Sequence, residues 1–528
     1  MGQREGRPLG QCPTVRVSLT GIRSSAAELA QHFAQSSDPL DLGKAVHYGE
    51  VAAQRAVSVY AYGEAVRHLE TALQAQEVLD PDDKLKRCDL LLALGEALMP
   101  AGEPKRTAEE IAPRAFELAE ALDDHVRILR SCRMAVEGLG RASTVAYATP
   151  EFRMWADRAD QHAPADGPER ARAELAISYA LEWTGHPNEA NQRLDAALAA
   201  ARKAGDADVL FDVLQLCIRN WNTIDLEEDA LRLVEEFAGH SRAGISARTE
   251  ARFLWGSSFT LLAFGRREAA ETLWRQIDEL AGRVNDASVQ LYPLFGEWAT
   301  HILDGELEAA AATGASFATR AEQLGVPAFG RGNAALTSYR PLLLLGRSDE
   351  VPNLPSGARQ SALRESLKLA HLGRLDEARD ALQRAVEQRF PLLTNLVCET
   401  VETAILTGDH GITADWAGKL SQVKSSFSSA VADLSCIARH LGAAAALLGD
   451  PAQAEAYYRQ ALEVCGKIRF RPEIALTRLQ LAELLLDHDP DRAVEAQGHL
   501  DFAVAEFRAM KMTPSLERAL RRKGLLGA

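Results

Sequence analysis

The chain has 528 residues, 47% of them hydrophobic and 6% aromatic, with a formal net charge of −15. So acidic a balance excludes phosphate-backbone binding as the main task, because that needs clustered lysine and arginine. The longest dense apolar run, Leu342 to Leu345, is far too short to span a bilayer.

Abundant alanine favours tightly packed helices, and runs of period-two alternation are scarce. Arginine greatly outnumbers lysine, the usage of a GC-rich bacterial genome. In chain order, residues 1–25 carry Arg4, Arg7, Arg16 and Arg23 without an apolar stretch. They read as an irregular leader rather than a secretory signal. Residues 26–348 then read as a first run of repeats. The stretch 349–358, DEVPNLPSGA, reads as a loop or hinge in place of an expected helix. Residues 359–522 read as a second run and 523–528 as a tail.

The repeat shows as fixed offsets from a turn residue. Five, nine and twelve residues after Tyr60 stand Ala65, Leu69 and Ala72; after Gly185, Ala190, Leu194 and Ala197. Asp225 gives Ala230, Val234 and Phe237; Gly265 gives Ala270, Trp274 and Ile277. Gly373 gives Ala378, Leu382 and Ala385; Gly449 gives Ala454, Tyr458 and Ala461. These offsets share one face of a helix, so a stripe of small, large and small residues faces its neighbours. A small residue seven or eight positions before the turn (Gly95, Gly442, Ser178, Ser258, Ala53) permits a close helix crossing. Further turns are predicted near Gly102, Gly305, Gly346 and Gly408, where positive φ suits glycine.

Asp166 and Pro168 read as an N-cap and an early proline, and Pro391 and Pro472 precede helices of their units. The rhythm degenerates around Ala142 to Pro150, and Pro341 is expected to kink its helix. The fold class is therefore all-α: a solenoid of antiparallel helix pairs winding into a right-handed superhelix.

The pattern resembles the tetratricopeptide repeat, with a period nearer forty residues than the usual thirty-four or so. Residues Ala27 to Ala75 carry a further likeness, through Glu28, Leu29, His32, Phe33, Ala45, Tyr48, Ala56, Ala65, His68, Ala72 and Leu73. This stretch resembles the junction after the ATPase module in large bacterial signal-transduction ATPases of the maltose-activator and LuxR type. The sequence carries neither that module nor the helix-turn-helix of such regulators, so the resemblance implies a sensor arm and not ATP hydrolysis or DNA binding.

No phosphate loop, His-Glu-x-x-His, Gly-x-Ser-x-Gly or paired-cysteine motif occurs, so no enzyme activity, cofactor or metal is predicted. Seven widely spaced cysteines suit reduced thiols and a cytoplasmic protein. Arg518, Arg521, Arg522 and Lys523 read as a basic last turn completing a helix dipole. The first helix of each pair lines the concave face of such an array. Projected there are Arg172, Tyr179, Trp183, Arg219, Asn222, Arg252, Trp255, Phe259, Tyr292, Phe295 and Arg340. Arginines interleaved with aromatics suit a protein or peptide partner, or a small-molecule inducer. The expected function is a non-catalytic binding scaffold, the sensor arm of a bacterial regulator; the alternative is an adaptor for protein assembly unrelated to transcription.

Overall fold

A computed structural model of the chain describes residues 19–36, 38–220, 223–284, 286–352, 359–387, 392–431 and 433–526. Helix follows helix through almost all of it. Most form pairs joined by a tight turn, such as Pro39–Ser58 with Tyr62–Leu79 and Pro168–Thr184 with Pro187–Ala204. Proline opens many of them, where its missing N–H has no intrahelical acceptor to lose. Pro39, Pro150, Pro168, Pro187, Pro293, Pro327 and Pro451 are all first helical residues.

The turns share one construction. Tyr60, Gly102, Gly185, Gly265, Gly305, Gly346, Gly373, Gly408 and Gly449 all have positive φ. The amide following each donates to the carbonyl five residues before that amide. Examples are His186 to Leu181 at 2.9 Å, Glu306 to His301 at 2.8 Å and Asp450 to Ala445 at 3.0 Å. This bond satisfies a carbonyl of the last helical turn and reverses the chain toward the second helix. Asp225 is the exception among the expected turns, with no positive φ.

The predicted stripes are buried throughout, from Ala65, Leu69 and Ala72 to Ala454, Tyr458 and Ala461. The small residue of the first helix meets the stripe directly. A Cβ on Gly442 would stand 2.7 Å from the Tyr458 ring. Trp274 Nε1 donates to Ser258 Oγ at 2.9 Å, and Ser178 Oγ donates to the Ala190 carbonyl at 2.8 Å.

Several expectations need correction. A helix, Leu19–Ala34, begins inside the stretch expected to be irregular. It packs on the next helix with Phe33 stacked on Tyr48 at 6.1 Å. Gly167, not Asp166, stands at the cap position of Pro168–Thr184, at φ 91 and with no side-chain cap. Pro472 lies within the first turn of Arg471–His488 rather than before it. Pro391, residues 1–18 and residues 353–358 lie outside the described residues. Of the proposed loop, Ser348–Glu350 forms a single 3-10 turn. The degenerate stretch near Ala142 is a 3-10 segment, Thr144–Ala148, inserted between two helices.

An unexpected antiparallel hairpin joins Phe427–Ala430 to Asp433–Cys436, with Phe427 opposite Cys436. It is docked rather than free. Ser426 N donates to the Ala263 carbonyl at 2.9 Å, and Ser429 Oγ to the Phe259 carbonyl at 2.6 Å. Contacts of this kind recur far along the chain. Glu227 accepts from Ser425 N at 3.3 Å, Arg267 Nη1 donates to the Ile468 carbonyl at 3.0 Å, and Lys511 pairs with Glu308. The C-terminal repeats therefore lie against the turns of the middle repeats, roofing over the array rather than extending it away.

Candidate functional site

The first helices of the N-terminal and middle pairs, with Thr144–Ala148, border a lumen, partly open to solvent, in two adjoining chambers. The larger has a volume of about 730 Å³ and the smaller about 160 Å³. Met99, Gly140, Arg141, Tyr147, Arg248, Arg252 and Asp286 line both. Arg141, near the end of His125–Ala142, and Asp286, in the loop after Arg267–Arg283, approach to 3.6 Å, so residues far apart in sequence meet at this space.

Tyr147 is central. Its ring stacks on Tyr179 at 4.6 Å, with the planes 11° apart, and stands 5.9 Å from Trp183. Burial, then the neighbouring Tyr179, pushes its phenol up to about 12. The Tyr179 hydroxyl accepts from Arg252 Nη2 at 2.6 Å and from Gln215 Nε2 at 2.9 Å. Arg252 also pairs with Asp212 at 3.1 Å. Burial opposes its charge, but Tyr179 and Asp212 outweigh burial and hold its pKa well above the usual value. Arg219 lies over the Tyr179 ring at 5.2 Å and pairs with Glu182 at 2.8 Å. Farther along, Trp255 packs 6.0 Å from Tyr292 and 5.4 Å from Phe295.

The structure thus brings Arg172, Tyr179, Trp183, Arg219, Arg252, Trp255, Tyr292 and Phe295 to the walls of one connected space. Arg172 sits at the larger chamber, paired with Glu169 at 2.7 Å. Phe259 and Arg340 do not belong there. Phe259 is buried against Trp274 at 6.4 Å, beneath the docked hairpin. Arg340 is 1% exposed and pairs with Glu402 at 2.6 Å, in a separate charged cluster with Asp433. Both face neighbours that a repeat projection omits, because the C-terminal repeats cover them. Asn222 lies outside the described residues.

Sequence reasoning missed Arg141, Tyr147, Arg248 and Asp286. Arg248 had a signal: it precedes Arg252 by four residues on one helix, so both share a face. Arg141 borders the degenerate stretch and Tyr147 lies inside it, where no register could be projected.

Residues 433–499 match the tetratricopeptide repeat family. They span the pair Ile437–Leu447 with Pro451–Ile468, then Arg471–His488 and the start of Ala493–Met510. That segment is of tetratricopeptide type, and helix pairs of like construction run through the rest of the described residues. No curated protein matches the chain. It is similar to a solved structure titled "Crystal structure of APC/C hetero-tetramer Cut9-Hcn1", at 14% identity and a TM-score of 0.32. That alignment covers 94% of this chain and 98% of the other. Among the described residues, no cluster of His, Cys, Asp and Glu is arranged to hold a metal ion. Among them too, no helix is long and apolar enough to cross a membrane.

Proposed function

We propose that this helical-repeat chain is a non-catalytic interaction scaffold whose lumen receives a ligand and whose outer surface engages a protein partner. The observation that supports this best is the lumen itself: arginines and aromatic rings from several repeats converge on a space of ligand size. Rings offer contact area at low entropic cost, and guanidinium groups offer directed donors.

The finer reading is a sensor arm of a bacterial signal-transduction or transcription regulator, acting in the cytoplasm. It is supported by the resemblance of Ala27 to Ala75 to the post-ATPase junction. The described cysteines, Cys88, Cys132, Cys217, Cys398, Cys436 and Cys465, are unpaired and buried, which suits a reducing compartment. In this reading an inducer in the lumen alters how the N-terminal repeats present themselves to an ATPase partner.

The test is a thermal-shift screen of short peptides, sugars and nucleotides, with Trp255→Ala as the lumen variant. Native-state binding raises the apparent Tm by mass action. A stabilising compound whose effect disappears in Trp255→Ala supports the lumen. Hydrogen exchange with that compound bound then addresses the sensor arm: altered protection over Pro39–Ser58 and Tyr62–Leu79 is expected. Unchanged exchange there would remove the sensor arm and leave the scaffold.

A further inference from the structure

The two chambers differ in charge. The larger is mixed, with Glu137, Asp208 and Asp212 among its walls. The smaller sets Arg141, Arg219, Arg248 and Arg252 against a single carboxylate, Asp286. That carboxylate is already engaged: Oδ1 accepts from Ser288 N at 2.9 Å and Val289 N at 3.1 Å, and Oδ2 faces Arg141. Arg219 and Arg252 have their own anionic partners outside this chamber.

Arg248 has none. Among the described residues it makes no hydrogen bond or ion pair, and its Nε is buried without an acceptor. It also sits in the first turn of Ala247–Ala263, where the helix dipole disfavours a cation. Arg141 Nε is likewise buried without an acceptor, as are the indole N–H groups of Trp183 and Trp255. Four residues that line the same chamber therefore each carry a buried donor without an acceptor, and buried donors left unsatisfied are costly. The arginines also repel one another. Burial, then the neighbouring Arg248, pulls the Arg141 guanidinium down to about 10.

From this geometry we infer that the smaller chamber is the seat for a compact dianion, a phosphate monoester or dicarboxylate, carried on a small organic ligand with a planar ring. The dianion sits between Arg141 and Arg248, at the wall the chambers share. The ring lies in the larger chamber against Tyr147 and Tyr179. The inference deepens the lumen reading and depends on it. A lone acidic peptide side chain carries one charge, fewer than the two guanidinium groups of Arg141 and Arg248 offer.

The test uses the full chain with phenyl phosphate, inorganic phosphate, succinate and phenol as probes, followed by thermal shift and titration calorimetry. Phenyl phosphate is expected to stabilise most, the two simple anions less, and phenol not at all. Better stabilisation by succinate than by inorganic phosphate would assign the head group to a dicarboxylate, and the reverse to a phosphate. In Arg248→Gln the affinity for phenyl phosphate should fall at least tenfold while the Tm without ligand holds or rises. A structural arginine would instead lower that Tm, and unchanged affinity in Arg248→Gln would overturn the inference. Arg141→Gln provides a second variant with the same expected loss of affinity. If no anion binds but neutral sugars or peptides shift the Tm and lose that effect in Trp255→Ala, the dianion is refuted and the lumen stands. If nothing binds, both fall.

Discussion

At the scale of single residues, the most consequential group is Arg340. Expected in the binding face, it is fully enclosed beside Glu402, Asp433 and Glu399. Burial alone would raise the pKa of Glu402; the Arg340 guanidinium outweighs this and holds it well below the usual carboxylate range. Removing Glu402 leaves the buried Arg340 with only the longer contact to Asp433, at 3.7 Å. Glu402→Gln should therefore cost ~3–5 kcal/mol in urea unfolding, and a loss under about 1 kcal/mol would contradict the pairing. Glu399 behaves oppositely. Burial pushes it up from 4.5 to about 7, though Arg364 pulls it back. Because the folded value is raised, its contribution is full below about 4.5 and is lost as pH rises toward 7. Glu399→Gln should match the wild type at pH 4 and exceed it by on the order of 2–3 kcal/mol at pH 8. Unfolding curves at both pH values decide this, and parallel pH profiles would refute it. The basic C-terminal residues are settled by the same kind of geometry. Arg518 pairs with Glu483 at 2.6 Å and Arg522 with Asp487 at 2.8 Å, so they tie the last helix to an earlier one.

At the scale of elements, a turn glycine does one of two jobs, and they can be separated. Gly373 and Gly346 both have positive φ, +75 and +77. A Cβ on Gly373 would meet nothing within 4 Å, whereas one on Gly346 would stand 2.6 Å from Pro514 Cγ, on a rigid ring. Gly373→Ala should cost about 1 kcal/mol, the backbone effect alone. Gly346→Ala should cost roughly 2–3 kcal/mol and speed hydrogen exchange across Thr513–Leu526. Equal costs would mean that the terminal helix is not seated on that turn. Turns and stripes were legible in the sequence because they are local: a fixed offset from a positive-φ residue places the same side chains whatever surrounds them. The hairpin was not. FSSA and DLSC are too short and too rich in serine to announce strands, and their pairing is stabilised by docking on Ala263 and Phe259. The lumen was legible where helices keep register, at Tyr179, Arg252 and Trp255. It was lost where Thr144–Ala148 interrupts that register. Arg340 failed for a third reason. From Thr337 to Leu345 every residue is buried, so periodicity has no exposed face to mark.

For the whole molecule, the question is whether the stack behaves as a row of independent units. In a simple repeat array each unit touches only its neighbours, so stability is a sum of local terms and cooperativity can break down. Here the later repeats also grip the earlier ones. Arg267 is 6% exposed and bonds Asp304 at 2.8 Å and the Ile468 carbonyl at 3.0 Å. Arg471 donates to the Asp304 carbonyl at 2.9 Å, and Lys511 pairs with Glu308. These bonds close loops of chain between distant repeats, so opening the C-terminal repeats must expose the middle ones. The wild type is expected to unfold residues 247–346 and 433–526 together in urea, with coincident hydrogen exchange. Replacing Arg267, Arg471 and Lys511 by alanine should uncouple them. The C-terminal segment would then open first, at a lower urea concentration, while Trp255, Trp274 and Trp298 keep their native fluorescence. Lumen ligands should still bind this variant, because none of the three residues lines either chamber. A single transition retained in the triple variant would mean that nearest-neighbour packing alone carries the cooperativity.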